Sequence, residues 1–291
     1  MTRLPPETLL FTTAVILAGV FVAASVDLPV LPLLIALLIG VSLFGLPHGA
    51  LDPLIAQRAE LWTGPLGFIA FNAAYIAIAA LTVAIWLLVP AIALAGFLLI
   101  SAWHFAGDWF DREAVVARLA TGLALLSLPT LLHGAAVTEI YRALAGPGGT
   151  QLVLAQQLIA GPAVLASITL SIIARPIEWR PVVEMGVALL VALLLPPLVF
   201  FLVYFCTLHS PRHLWEHMKS LSTAVTPSRL ALYMAAYTAG ALALVGSGFL
   251  ALRTFETPLD EALHRLIFVG LAALTVPHML VLEYAEGHDH E

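Results

Sequence analysis

The chain has 291 residues, 61% of them hydrophobic and only 10% charged. Soluble domains carry about 25% charged residues, so a water-solvated globule is excluded. The formal net charge of −6 comes without any basic cluster, which gives no footprint for nucleic acid, and the single cysteine, Cys206, excludes a disulfide framework and most thiolate metal sites.

Apolar runs of membrane-crossing length recur along the whole chain. In order they cover about 8–27, 30–57, 66–89, 91–110, 114–133, 151–174, 181–195, 197–218, 228–252 and 259–284. The opening Met1-Thr-Arg3-Leu-Pro-Pro has neither the charged n-region nor the small-residue cleavage site of a signal peptide, so the first run is expected to remain as a span. The dipeptide Pro196-Pro197 divides residues 181–218, which as one helix would reach roughly 57 Å. Two prolines in succession remove two backbone donors, so a turn between two helices is expected.

With ten helices, Arg3, Arg58, Arg112, Arg118, Arg175, Arg180, Arg212, Lys219 and Arg229 fall on one side, against Arg142, Arg253 and Arg265 on the other. The positive-inside rule then places both termini in the cytoplasm. The expected fold is all-α: a polytopic transmembrane helical bundle of about ten apolar segments. It forms a single integral-membrane domain over residues 1–291, in the inner cell membrane, with no soluble domain and a short tail from about 285.

Histidines stand out against this apolar background. Tyr204-Phe-Cys-Thr-Leu-His209-Ser-Pro-Arg-His213 places two of them four residues apart, one above the other on a helix face. In the ten-helix reading, His48, His104, His209, His213 and His278 come from four helices and lie at one depth, on the cytoplasmic side. Imidazole at that depth is costly to leave unpaired, and a shared metal ion is a sufficient reason for it.

Asp52 follows His48, and Asp108 follows His104, by four residues each. On a continuous helix each aspartate would accept the imidazole N–H that faces away from the metal. The plainer alternative is an interfacial carboxylate. Pro47 and Gly49 suggest a distorted helix around His48, and Gly107 does so more weakly beside Asp108. His278, after Pro277, reads as a further ligand, an orienting group or a proton relay. His217, His264 and His133 read as interfacial, and the Glu286 to Glu291 tail as a solvated end.

Neutral imidazoles without thiolates suit Zn, Cu, Fe or Ni. Aromatic residues such as Trp103, Phe105, Phe201, Tyr204 and Phe205 are able to line an apolar pocket, although at helical spacing such residues are usually packing. A divalent-metal transporter, a bis-histidine haem protein and a di-iron desaturase are the competing readings. The first would place its site near the midplane, often between inverted repeats. The second needs facing histidine pairs, and the third needs about eight histidines.

Gly45-Leu-Pro-His48-Gly-Ala-Leu-Asp52, Trp103-His104-Phe, Phe205-Cys-Thr-Leu-His209-Ser-Pro-Arg-His213 and Pro277-His278-Met-Leu, in that order over about residues 40–284, resemble the Brp/Blh family. That family comprises microbial membrane β-carotene 15,15′-dioxygenases found with retinal-binding rhodopsins. The resemblance implies one non-haem Fe(II) on His48, His104, His209 and His213. It also implies cleavage of the central double bond of β-carotene by O2 into two retinal molecules. Leu132-His133-Gly-Ala-Ala-Val departs from the family pattern, where a more acidic stretch is expected. Members acting only as regulators of retinal supply share these motifs.

Overall fold

The computed structural model describes residues 4–24, 29–173 and 179–288. Every regular element among them is helical. The chain begins with α1 (Pro6–Ala23) and α2 (Val30–Gly40), a π-turn (Val41–Gly45), α3 (Leu46–Gly49) and α4 (Asp52–Arg58). There follow α5 (Gly64–Leu88), α6 (Pro90–Ala106), α7 (Val115–Ser127), α8 (Pro129–Leu132), α9 (Gly134–Ala145) and α10 (Gly148–Ile173). Next come α11 (Trp179–Leu194), α12 (Pro197–Tyr204), a second π-turn (Phe205–His209) and α13 (Ser210–Leu221). The last two helices are α14 (Pro227–Thr254) and α15 (Leu259–His288).

Proline sets many of these starts. It occupies the first or second position of α1, α4, α5, α8, α12 and α14, where its fixed φ suits the helix and its missing N–H has no partner to lose. Proline also explains the two π-turns. Pro47 and Pro211 each stand two residues beyond one, and a proline ring clashes with the carbonyl four residues before it. Widening the preceding turn relieves that clash, and Leu46 N–H accordingly bonds back five residues to the Val41 carbonyl.

Among the described residues, seven helical stretches are long and apolar enough to cross a membrane: Pro6–Ala23, Val30–Arg58, Gly64–Leu88, Val115–Leu132, Gly148–Ile173, Pro227–Thr254 and Leu259–Gly287. The expectation of about ten is therefore corrected. The runs at 91–110, 181–195 and 197–218 do fold as helices, but not as spans of that kind. Helix α6 stops after 17 residues, before Gly107. Helix α11 has 16 and carries Arg180 and Glu184 in its first turns. Pro196 ends the extended link before α12, whose 8 residues reach only about 12 Å. Helix α13 beyond it is polar, with Arg212, Glu216 and Lys219.

The charge-based placement of both termini rested on ten helices and falls with that number. So does the ordering of the histidines by depth. Arg3, Arg175 and part of the first expected segment lie outside the described residues. Helix α15 continues to His288, so the start of the expected tail is helical, and residues 289–291 lie outside the described residues.

The chain divides into two compact units, each assembled from two separated stretches. The first comprises Met1–Leu33 and Pro90–His209. Within it α7 packs against α6 and α10. The contact with α6 is backbone to backbone, since a Cβ on Gly122 would stand 1.8 Å from the Ala102 carbonyl oxygen. Small residues allow such approach where lipid offers no hydrophobic drive between helices. A buried Glu184 in this unit accepts hydrogen bonds from Thr8 and Trp109.

The second unit comprises Leu34–Val89 and Ser210–Glu291. Within it α15 packs against α4, α5 and α14. Trp86 is the buried residue of α5 and Leu230 that of α14, so both helices offer apolar surface almost all round, as lipid-facing spans do.

Candidate metal centre

In the first unit, α6 delivers His104 near its C-terminal end and the second π-turn delivers His209 at its last position. The two imidazoles meet edge to face, with centroids 4.6 Å apart, planes at 84° and Nε2 atoms 3.1 Å apart. Both are buried, His209 completely.

Beyond the end of α6, Asp108 approaches His209 from the other side. Nδ1 of His209 lies 3.3 Å from each carboxylate oxygen, and the Tyr204 hydroxyl donates to Oδ2 at 2.6 Å. An ionised carboxylate only accepts, so Nδ1 of a neutral His209 carries the proton and Nε2 keeps its lone pair. Phe105 and Phe205 enclose the His209 ring at 4.8 and 5.7 Å between centroids.

The second unit carries a parallel arrangement. His48 lies on α3 and His278 on α15, edge to face, with centroids 4.9 Å apart and planes at 83°. Nδ1 of His278 donates to Asp52 at 2.7 Å, and the Tyr75 hydroxyl donates to the other oxygen of Asp52 at 2.7 Å. Asp52 is wholly buried. His213 of α13 lies 6.3 Å from His48 between centroids.

The aspartates therefore do not pair as the spacing suggests. Asp52 bonds His278 and Asp108 bonds His209, each from a distant stretch of chain, whereas the sequence pairs them with His48 and His104. The four-residue rule presumes a continuous helix. Helix α3 ends at Gly49 and α4 starts at Asp52, while α6 ends at Ala106 and Gly107-Asp108 lies in a turn. Gly107 leaves room there, since a Cβ would fall 2.8 Å from the end of the Arg118 guanidinium and 3.0 Å from the His104 carbonyl oxygen. The distortions that Pro47 and Gly107 suggest are present, and they redirect the carboxylates.

His217 was the residue least legible in the sequence. It is only partly exposed and its Nδ1 is enclosed without a hydrogen-bond partner. Its ring stands 6.0 Å from His213 and 6.5 Å from His278. Burial, then the neighbouring His213 and His278, pushes its imidazole down to about 3, so it is neutral at physiological pH. The helical spacing after His213 was its signal, and Glu216 and Lys219 masked it.

His133 lies apart and donates Nε2–H to the Leu194 carbonyl at 3.1 Å. His264 is buried within the protein, its Nδ1 bonded to the Asp260 carbonyl of its own helix.

The donor set suits a metal ion: buried histidines with carboxylates fixing their tautomers. Two imidazole nitrogens on one ion at about 2.0–2.1 Å stand roughly 3.0–3.4 Å apart, and the Nε2 atoms of His104 and His209 have that spacing.

Comparison with known proteins agrees with this chemistry. The profile of the family described as Beta-carotene 15,15'-dioxygenase matches residues 39–285. A protein named Beta-carotene 15,15'-dioxygenase, from uncultured marine bacterium 66A03, is 29% identical over 263 residues, covering 82% of this chain and 89% of that protein. A protein named Probable beta-carotene 15,15'-dioxygenase Blh, from Halobacterium salinarum, is 30% identical over 283 residues, covering 84% and 81%. No solved structure matches. The chain belongs to the beta-carotene 15,15'-dioxygenase family of oxidoreductases.

Proposed function

We propose that this membrane protein splits the central 15,15′ double bond of β-carotene with O2, giving two molecules of all-trans-retinal, with one Fe(II) held by His48, His104, His209 and His213. The observation that carries the metal is the His104–His209 pair, whose Nε2 atoms face each other at 3.1 Å while Asp108 accepts the hydrogen bond of His209 Nδ1–H. The names of the relatives carry the substrate.

Bound there, Fe(II) supplies the binding and activation of O2 beside the polyene. The carbon–carbon double bond and the O–O bond break, and two C=O bonds form, so all oxidising equivalents come from O2 and no reductant is consumed. The chain's own groups prepare the site. Asp108 and Tyr204 fix the tautomer and direction of the His209 ring. Phe105 and Phe205 keep water from it, which strengthens each electrostatic interaction inside. The apolar helices let substrate and product exchange with the bilayer of the cell membrane, within a single integral-membrane domain. The product is what a retinal-binding rhodopsin in the same cell would consume.

Expression in carotene-accumulating cells tests the reaction. Loss of colour with formation of retinal, and about one iron per purified chain, is the expected result. Cells that keep their colour while the protein carries iron would reject the substrate, and a pure active protein with zinc or haem in place of iron would reject the metal.

A further inference from the structure

We propose that His278 is a further ligand of the bound metal, with Asp52 and Tyr75 as the residues that position it. This rests on the metal reading above and extends the ligand set beyond the four histidines named there.

The two units carry matching arrangements. In the first, an edge-to-face imidazole pair has centroids 4.6 Å apart and planes at 84°, and one ring of that pair, His209, gives its Nδ1–H to a carboxylate that also receives a tyrosine hydroxyl. In the second, the pair His48–His278 has centroids 4.9 Å apart and planes at 83°. Here too one ring, His278, gives its Nδ1–H to a carboxylate, Asp52, that also receives a tyrosine hydroxyl, from Tyr75. The same four-part arrangement is built twice from unrelated stretches of sequence. His278 has in one unit the hydrogen-bond pattern that His209 has in the other.

The local chemistry supports the assignment independently. Asp52 is fully buried in a membrane protein, where an unused carboxylate is expensive to keep. His264, by contrast, is satisfied by the Asp260 carbonyl of its own helix. His278 has a carboxylate instead, the partner that raises the basicity of a metal-bound imidazole and holds its Nε2 as a lone pair. A proline immediately precedes each member of the pair, Pro47 before His48 and Pro277 before His278. Each proline removes one backbone N–H from the helical ladder beside the histidine.

The test uses purified full-length protein in detergent, stripped of metal and titrated anaerobically with Co(II). Affinity is read by competition with a chelator, ligand field by the visible bands, and folding by circular dichroism. Wild type should bind one Co(II) per chain. Folded His278→Ala should bind at least about tenfold more weakly with weakened and shifted bands, and added imidazole should restore them. Asp52→Asn should bind about ten to a hundredfold more weakly.

Wild-type affinity and spectrum in folded His278→Ala would overturn the proposal. Should His278→Ala not fold, the same result in Asp52→Asn would overturn it. Should wild type take up no Co(II), and resemble His209→Ala in that, the metal reading itself fails and the proposal with it. Wild-type binding that is lost in His209→Ala but kept in His278→Ala sinks the proposal alone.

Discussion

Tyr204 donates its hydroxyl to Asp108 at 2.6 Å although the two residues stand 96 positions apart. Asp108 meets His209 on the same side, so one carboxylate joins the end of α6 to the π-turn that ends in His209. The phenol holds the carboxylate, the carboxylate holds the imidazole, and the imidazole keeps Nε2 directed at His104.

Removing the carboxylate charge should therefore damage chemistry rather than fold. Asp108→Asn is expected to lower activity about ten to a hundredfold while the helical content stays unchanged. Retinal formation rates and circular dichroism on the same preparation check this. Wild-type rates with iron fully retained would make Asp108 an interfacial residue only.

Tyr204→Phe tests the outer link. A hydrogen bond to a charged group contributes about 1.5–3 kcal/mol, and Tyr204 is fully buried, so the lost hydroxyl leaves nothing to replace it. The variant should unfold several degrees lower and lose iron faster to a chelator. An unchanged iron off-rate would detach Tyr204 from the site.

Alanine in place of His48, His104, His209 or His213 should abolish turnover, whereas His133→Ala should leave most of it. The four are the proposed iron ligands, and the His133 side chain bonds the Leu194 carbonyl. Iron content and retinal yield are measured together for each variant. Turnover surviving in any one of the four removes that residue from the ligand set.

Packing in the first unit gives a prediction that does not involve the metal. Gly122→Val should prevent α7 from seating on α6, since even its Cβ would collide with the Ala102 carbonyl. Overpacking costs about 1–3 kcal/mol where neighbours can shift, and a backbone carbonyl inside a helix shifts little. Thermal unfolding in detergent should show a large drop. A variant as stable as wild type would mean that α6 and α7 are not in contact at this position.

Reaction type fixes the last prediction. Retinal should form from β-carotene and O2 with no NADH or flavin partner, because cleavage by O2 is already balanced in electrons. A strict requirement for NADH in a purified assay would end the dioxygenase mechanism.

What the sequence determined alone was what composition and short spacing control. Apolar runs of about 20 residues in a chain that is 61% hydrophobic point to helices in lipid, because a helix satisfies each backbone donor within its own segment. Proline positions foretold breaks at Pro47 and Pro196 because a missing N–H and a fixed φ act locally. The histidines of the site were legible as polar residues in apolar runs. The number of spans was not, because an apolar run does not show where a helix stops: α11 ends at Leu194, α12 has only 8 residues, and the polar α13 is a separate helix beyond the π-turn. Nor was the partner of each aspartate. Asp52 sits four residues from His48 in sequence but bonds His278, 226 positions away, and Asp108 bonds His209 at a separation of 101. The helix ends at Gly49 and Ala106 turn both carboxylates off the faces their spacing implies, and only the packing of distant segments decides what they then meet.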